Sequence, residues 1–202
     1  SPGVMQLASS DLPCVAIDYK YDCCSCVLSD NQNSMQQLVQ YAYNKGHQKI
    51  AFVHGQSDGF VTVQRLNGFY RACAALGLTV PPEYVIEAAY HDPISVSEAT
   101  KKLLALADRP TCVLYPDDYS CLGALSRLEK YGFSVPGDLS IAGYDGIMLS
   151  TVLRPKLTTY RQDVQKMGKA AVELLTKTIE NGGKDEIIHR IVPGELQIGG
   201  TL

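Results

Sequence analysis

The sequence lacks an excess of basic residues and lacks any long hydrophobic run. Its 202 residues include 18 lysines and arginines against 21 aspartates and glutamates, which gives a formal net charge of −3 at pH 7. Phosphate contacts with nucleic acids require clustered positive charge, so the chain alone is not expected to bind DNA specifically. A membrane-spanning helix needs roughly 18 or more consecutive apolar residues, and no such run occurs. These absences exclude a membrane span and disfavour a nucleic-acid binder that works by itself.

The motifs of several catalytic classes are also missing. The sequence has no glycine-rich phosphate loop, no pair of histidines with a glutamate at zinc-protease spacing and no Gly-x-Ser-x-Gly element. The segment 55–59 could form a ligand-binding loop, but it lacks the Lys-Ser/Thr ending that a nucleotide-binding loop requires. We therefore expect no catalytic residues, no cofactor and no enzymatic activity.

Seven cysteines are present, and most of them lie within apolar runs. A thiol in such a run packs as a small hydrophobic side chain, and this usage is typical of a protein from a reducing cytoplasm. Cys23, Cys24 and Cys26 lie close together in the sequence. Alternate strand positions face opposite sides of a sheet, however, and no second Cys or His pair stands at zinc-finger spacing, so no metal site is expected.

Short β-branched runs alternate with longer segments of helical periodicity along most of the chain. Strands are predicted near 14–18, 25–28, 49–54, 84–88, 112–115, 139–143 and 187–198. Helices are predicted near 30–46, 62–76, 95–107, 118–131 and 163–180. This alternation with short links favours right-handed crossovers and a parallel sheet covered on both faces. The predicted fold class is therefore α/β.

Polar side chains follow several predicted strands, at the edge where ligands bind in α/β sheets. Asp117 and Asp118 follow one strand, Asp145 follows another, and His54 ends a strand that leads to Arg65. Each carboxylate can accept two hydrogen bonds and the arginine donates a planar fork, so this set could bind the vicinal hydroxyls of a sugar.

Each of these side chains also has a structural interpretation. Asp118 stands where a predicted helix opens, which favours an N-cap, so Asp117 is the stronger ligand candidate. Asp145 could cap a turn. Arg65 could be a solvated helix residue.

A set of short motifs runs in a fixed order from about residue 12 to residue 198. In the first half they are Leu12-Pro13-Cys14-Val15-Ala16-Ile17-Asp18, Asp30-Asn31, Gly46-His47-Gln48-Lys49-Ile50-Ala51 and Arg65-Leu66-Asn67-Gly68-Phe69. In the second half they are Pro116-Asp117-Asp118, Val135-Pro136-Gly137-Asp138-Leu139-Ser140, Gly143-Tyr144-Asp145 and Pro155-Lys156-Leu157-Thr158-Thr159. The ordered set resembles the effector-binding domain of LacI/GalR-type bacterial transcription regulators.

The resemblance implies a periplasmic-binding-protein-like fold, in which two doubly wound parallel-sheet subdomains are joined by three crossovers and the effector lies in the cleft. Residues 1–29 and 160–183 would form part of the N-terminal subdomain, and residues 30–159 and 184–202 the C-terminal subdomain. The rest of the N-terminal subdomain and the DNA-binding helix-turn-helix would then be absent from this chain. Operator DNA would be contacted only through that absent domain.

The family's ligand-binding roles fall on individual positions of this sequence. The resemblance assigns effector contacts to Arg65, Asp117 and Asp145, and an aromatic wall to Tyr90 or His91. Asp117 departs from the neutral residue that is frequent at this position. The additional negative charge favours a neutral polyol over a phosphorylated or acidic effector.

Two functions are compatible with these observations. The leading hypothesis is an effector-sensing domain of a cytoplasmic regulator, which binds a sugar and couples binding to DNA affinity. The alternative is a solute-binding protein of a sugar uptake system, which shares the fold. The cysteine usage favours the regulator, and so does the segment that contains Leu157-Thr158-Thr159 and Gln162-Asp163.

A homodimer is expected as well, because palindromic operators require readers with two-fold symmetry. The contact is predicted on the helix 118–131, whose apolar residues cover more than one face, and on the segment 146–152. That segment carries an apolar run in a predicted loop, where burial within the same subdomain is difficult. The residues assigned to this interface are Tyr119, Leu122, Leu125 and Met148. The alternative is that the two segments pack against each other within one chain.

Overall fold

The computed structural model describes residues 12–182 and 186–202. The chain divides into two compact units. The first contains the described residues up to Asp30 and those within Asp163–Gly194, and the second contains Asn31–Gln162 and Glu195–Leu202. The chain therefore passes three times from one unit to the other. Within the described ranges no helix is both long enough and apolar enough to cross a membrane.

The strands and helices alternate as the sequence predicts. The strands are β1 Val15–Ile17, β2 Ser25–Ser29, β3 Ile50–His54, β4 Val85–Glu87, β5 Cys112–Leu114, β6 Ser140–Asp145, β7 Thr158–Arg161, β8 His189–Val192 and β9 Glu195–Gln197. The helices are α1 Asn31–Asn44, α2 Phe60–Ala75, α3 Pro93–Leu104, α4 Cys121–Lys130, α5 Met148–Val152 and α6 Val164–Glu180, with a 3-10 turn at Pro82–Tyr84.

Six strands form the sheet of the second unit, in the order β4-β3-β5-β6-β7-β9. The first five run parallel, and β9 is antiparallel to β7. The parallel pairs place the carboxyl ends of β3, β5 and β6 along one edge of the sheet. The predicted α/β class with parallel sheets is confirmed.

Apolar side chains cover both faces of this sheet, because successive strand residues point to opposite sides. Ile50 and Phe52 pack into a core with α1 and α2. Ala51 and Val53 pack into a second core with α3 and α4. The strand β3 is buried along its whole length, as expected for a central parallel strand between two helical layers.

The first unit contains a three-stranded parallel sheet in the order β1-β2-β8. The helix α6 packs on one face of this sheet and buries Met167, Ala170 and Leu174 against Val27. These helix positions lie three and four residues apart, which is the spacing of one helical face.

The predicted strand 187–198 is wrong, because it is two strands in different sheets. β8 pairs with β2 in the first unit, whereas β9 pairs with β7 in the second. Pro193 has no backbone N–H and stands with Gly194 between the two strands, which interrupts the ladder. Residues 186–194 thus belong to the first unit, although the sequence placed 184–202 in the C-terminal subdomain. Gly183, near the predicted third crossover, lies outside the described residues.

Two further boundaries differ from the predicted ones. Residues 160–162 lie in the second unit, because β7 pairs with β6 through Tyr160 and Arg161. The segment 146–152, predicted as a loop, contains the short helix α5. The apolar run of this segment gave no periodic pattern from which a helix of this length could be predicted.

The helices α3 and α4 approach so closely that residue 123 must be a glycine. A Cβ atom at Gly123 would overlap the carbonyl oxygen of Pro93. We expect Gly123→Ala to lower the free energy of unfolding by about 1–3 kcal/mol, because the two helix backbones would have to separate. Urea unfolding followed by circular dichroism measures this change.

The control substitution is Gly168→Ala, in the helix α6. Beyond its own chain neighbours and the adjoining helix backbone, no atom lies within 4 Å of a Cβ at this position. This variant should gain roughly 0.4–1 kcal/mol, because alanine restricts the unfolded chain without straining the helix. Equal effects of the two substitutions would contradict the close approach at Gly123.

Candidate functional site

The carboxyl ends of the parallel strands in the second unit bring together most of the residues predicted to bind a ligand. Gly55 follows β3, Tyr90 and His91 follow β4, Asp117 follows β5, and Asp145 ends β6. Arg65 lies on the helix α2, which packs into the core that contains Ile50 and Phe52.

Arg65 is almost fully buried, with 3% of its surface exposed. Its Nε donates a hydrogen bond to Oδ1 of Asn31 at 2.8 Å, and its Nη1 donates to the carbonyl oxygen of Pro116 at 2.9 Å. The guanidinium carbon lies 3.4 Å from the ring centre of Tyr144, so the cation stacks on the negative face of the ring. These contacts fix the orientation of the guanidinium within the unit itself.

Asp145 has a φ of 101°, which places its backbone in the left-handed region. A non-glycine residue there costs about 1–3 kcal/mol, and such strain concentrates at functional sites. Its Oδ1 accepts a hydrogen bond from Nε2 of Gln162 at 2.8 Å. Burial raises the pKa of this carboxyl group, and the positive charge of Arg65 acts in the opposite direction.

Asp117 connects two loops of the site and is 1% exposed. Its Oδ1 accepts a hydrogen bond from the backbone N–H of Ser120 at 2.7 Å, and its Oδ2 accepts one from the Ser120 hydroxyl at 2.8 Å. The backbone N–H of His91 donates to the same Oδ2 at 2.9 Å. His91 itself has a φ of 54°. The Asp117 carboxylate therefore holds the loop after β4 against the segment that leads into α4.

Tyr90 contributes its ring to the site, whereas the His91 side chain is exposed. The hydroxyl of Tyr90 lies 3.0 Å from Oγ1 of Thr62, and its ring centre lies 5.8 Å from the guanidinium carbon of Arg65. The ring occupies the space above Gly55, where a Cβ atom would overlap it. The His91 side chain is 69% exposed and its Nδ1 lies 3.6 Å from Oδ1 of Asp117.

Asp118 is not the N-cap of the following helix, contrary to the sequence interpretation. The helix α4 begins three positions later at Cys121, and it is Asp117 that accepts from a backbone N–H at its start. Asp118 points instead toward β7 and the turn after β6. Its Oδ1 accepts a hydrogen bond from Oγ1 of Thr159 at 2.6 Å, and its Oδ2 accepts one from the N–H of Ile147 at 2.9 Å.

Burial raises the pKa of Asp118 to about 7. The hydrogen bonds from Thr159 and Ile147 favour the charged form, but they do not offset the desolvation. The nearby Asp145 raises the pKa further. The site thus combines one buried guanidinium with three carboxyl groups, two of which have raised pKa values.

The residues predicted for a dimer contact lie on α4, at its start and on α5. Met148 is 82% exposed and Tyr119 is 46% exposed. Leu122 and Leu125 are half-buried, and Leu125 packs against the second core of its own unit. Only the first two side chains therefore present a large apolar surface to solvent.

The sequence analysis gave no site role to three residues that position the predicted ones. They are Asn31, which orients Arg65; Tyr144, on which Arg65 stacks; and Gln162, which binds Asp145. Asn31 and Tyr144 belong to quoted motifs and Gln162 lies three residues after one, but a motif does not indicate which distant residue a side chain contacts.

In the first unit, Asp18 at the end of β1 has features similar to those of Asp145. Its φ is 57°, and its buried Oδ1 has no hydrogen-bond partner among the described residues. A buried carboxylate oxygen without a hydrogen-bond partner is costly. Across residues 12–182 and 186–202, no cluster of three His, Cys, Asp or Glu side chains is arranged to hold a metal ion.

The raised pKa of Asp118 predicts that its contribution to stability falls as the pH rises from about 4 to about 7. In that range the folded chain keeps a proton that the unfolded chain has lost, so unfolding becomes easier with a slope of up to about 1.4 kcal/mol per pH unit. We expect Asp118→Asn to flatten this dependence, as measured by urea unfolding at several pH values.

The control is Asp138→Asn, at an exposed turn. Hydrogen bonds from the hydroxyl and N–H of Ser134 lower the pKa of Asp138. The contribution of Asp138 to stability therefore depends on pH in the opposite direction. Its charged form stabilises the fold above the unfolded pKa, and this stabilisation is lost as the pH falls. An Asp118→Asn profile parallel to that of the unmodified chain would contradict the raised pKa.

Comparisons with known proteins agree with this architecture. A periplasmic binding protein-like domain family matches residues 39–202. The HTH-type transcriptional repressor PurR of Aliivibrio salmonicida is 32% identical over 187 residues, which cover 92% of this chain and 56% of that protein. The PurR repressor of Histophilus somni strain 129Pt is 32% identical over 185 residues, which cover 91% of this chain and 55% of that protein. The chain thus spans about half the length of these curated relatives.

A solved structure with the same fold is the putative transcriptional regulator LacI from Bacillus cereus subsp. cytotoxis. It superimposes with a TM-score of 0.90 at 31% identity, and the match covers 98% of this chain and 71% of that one. The relatives are transcriptional regulators, and the match extends over both units of the chain. The chain therefore belongs to the periplasmic binding protein-like domain family, as a LacI-type effector-binding domain.

Proposed function

We propose that the chain senses a neutral sugar for a cytoplasmic transcriptional regulator and has no catalytic activity. The observation that carries this proposal is the preorganised Arg65 beside the strained Asp145, at the carboxyl ends of the central strands. A helix-turn-helix domain outside this chain would contact operator DNA. Ligand binding would alter its DNA affinity by stabilising one conformation of the regulator over another.

The electrostatics of the site support a neutral ligand with several hydroxyl groups. Carboxyl groups outnumber the single buried guanidinium at these strand ends, and Asp145 lies within the field of Arg65, so a phosphate or carboxylate on the ligand would be disfavoured. Hydroxyl groups can donate to Asp145 and accept from Arg65 in the same complex. The ring of Tyr90 offers an apolar face of the kind on which a sugar ring packs.

The ligand class can be tested by thermal unfolding of the full-length regulator with three groups of compounds. Neutral monosaccharides should raise the midpoint, because a ligand that binds the folded state stabilises it. The phosphorylated forms of the same sugars should not raise it. A shift with nucleobases alone would contradict the sugar proposal while retaining an aromatic binding site at Tyr90.

Removing the Arg65 guanidinium should weaken ligand binding, and it also removes the contacts to Asn31, Pro116 and Tyr144. We expect Arg65→Ala to raise the Kd of the bound sugar roughly 30- to 4,000-fold, since loss of one charged partner in a buried hydrogen bond costs about 2–5 kcal/mol. Calorimetry on the full-length regulator measures this change.

Two variants separate ligand contact from folding. Arg71→Ala lies on the same helix, and the hydrogen bond of Arg71 to Gln32 is exposed, so its Kd should match that of the unmodified protein. Arg65→Lys keeps the charge but loses the planar fork, and it should bind with an intermediate Kd. Binding by Arg65→Ala within threefold of the unmodified protein would remove Arg65 from the site.

We also propose that the regulator is a homodimer whose contact includes Tyr119, Leu122, Leu125 and Met148. The exposure of Met148 and Tyr119 supports this surface, since both are large and apolar over most of their area. Leu122 and Leu125 would lie at the margin, because they are half-buried in their own unit.

Met148→Glu should convert the dimer to a monomer in analytical ultracentrifugation. The substitution places two like charges near a two-fold axis, and the side chain is exposed enough that folding should be unaffected. Val172→Glu is the control, because Val172 is 64% exposed on α6 in the other unit. If Met148→Glu remains dimeric, this interface is wrong.

A further inference from the structure

Two cysteines of the first unit occupy neighbouring positions at the start of adjacent strands. Cys14 directly precedes β1, and Cys24 directly precedes β2. The two strands are parallel, and Val15 stands opposite Ser25 in the ladder. Extending this register by one residue places Cys14 opposite Cys24.

This placement meets the distance requirement of a disulfide bond. Neighbouring strands lie about 4.7–4.9 Å apart, and disulfides join residues whose Cα atoms are about 4.4–6.8 Å apart. Opposed residues of two parallel strands point to the same face of the sheet. The two side chains also lie close enough to interact, because Cys14 contributes to the raised pKa of Cys24.

We propose that Cys14 and Cys24 form a reversible disulfide when the protein meets a peroxide. The sulfur of Cys14 attacks one oxygen of hydrogen peroxide, and the O–O bond breaks. The departing hydroxide takes the proton of the Cys14 thiol and leaves as water, which gives a sulfenic acid. The sulfur of Cys24 then attacks the sulfur of Cys14 and displaces the hydroxyl group, which leaves as a second water with the Cys24 proton. Each sulfur loses one electron, and the peroxide gains two.

The order of the two steps follows from the exposure of the thiols. Cys14 is partly exposed, so a peroxide can reach it, whereas Cys24 is buried. Burial raises the pKa of Cys24 to about 11, and the contact with Cys14 raises it too, so Cys24 is a protonated thiol at neutral pH. It therefore serves as the second, resolving thiol rather than as the first nucleophile.

The other cysteines are poorer partners for either residue. Cys23 adjoins Cys24 in the chain, and a bond between them would force the intervening peptide out of its planar trans form. Cys26 shares a face with Cys24 but lies two residues further along the extended strand, near the limit of disulfide reach. Cys73, Cys112 and Cys121 are buried in the second unit.

The test begins with the reduced chain of 202 residues, treated with hydrogen peroxide and then with catalase. Free thiols are counted in denaturant, and their number should fall by two from the seven present. Dithiothreitol should restore all seven. Trypsin cleaves after Lys20, so mapping without reductant should recover the Cys14 peptide joined to the peptide that begins at Tyr21, with fragmentation placing the bond at Cys24.

Single variants assign the bond to its two residues. Cys14→Ser and Cys24→Ser should each abolish the joined peptides, whereas Cys23→Ser should leave them unchanged. The map of the unmodified chain is decisive even if a variant folds poorly. A bond through Cys23 or Cys26, or oxidation of Cys14 to a sulfinic acid without any joined peptide, would overturn the proposal.

Discussion

A buried guanidinium dictates the arrangement around it in the second unit. A cation without compensation in a protein interior is very unfavourable, so each face and edge of the Arg65 side chain must meet a suitable group. Asn31, the Pro116 carbonyl and the Tyr144 ring provide those groups from α1, the loop after β5 and β6. Three segments that are far apart in the sequence are therefore held at one point by a single side chain.

The three carboxyl groups of the candidate site differ in the interactions that compensate for their burial. Asp117 is satisfied by hydrogen bonds from Ser120 and His91, and it organises loops. Asp145 lies within the field of Arg65 but on a strained backbone. Asp118 is desolvated enough to hold its proton near neutral pH. Residues of one chemical type thus perform different tasks because of their surroundings.

Most of the fold could be predicted from the sequence, because hydrophobic periodicity reports burial directly. The strand at 49–54 and the helices near 62–76 and 163–180 are found within a few residues of the predicted bounds. The division of 187–198 into two strands could not be predicted, because both halves have similar composition and only their pairing partners distinguish them. Local patterns do not specify to which sheet a short strand belongs.

The residues of the candidate site could be predicted in part. The contacts between them could not, because they depend on tertiary structure. Strand-end position identified Asp117 and Asp145 as candidates, and the family resemblance added Arg65 on the helix α2. The backbone N–H at the helix start is bound by Asp117 and not by Asp118, because capping preference identifies a residue type and not the direction in which its side chain points. The partners Asn31 and Gln162 depend on tertiary contacts that no spacing reveals.

The antiparallel strand β9 has a consequence for the solution behaviour of the protein. It covers the edge of β7, whose N–H and carbonyl groups would otherwise be available to another chain. Behind it, Thr201 bonds to Ile141 and Thr158, and Leu202 is buried. Residues 195–202 thus protect the sheet from edge-to-edge aggregation. A chain shortened before Glu195 would expose the edge of β7, which could then pair with another copy of the chain.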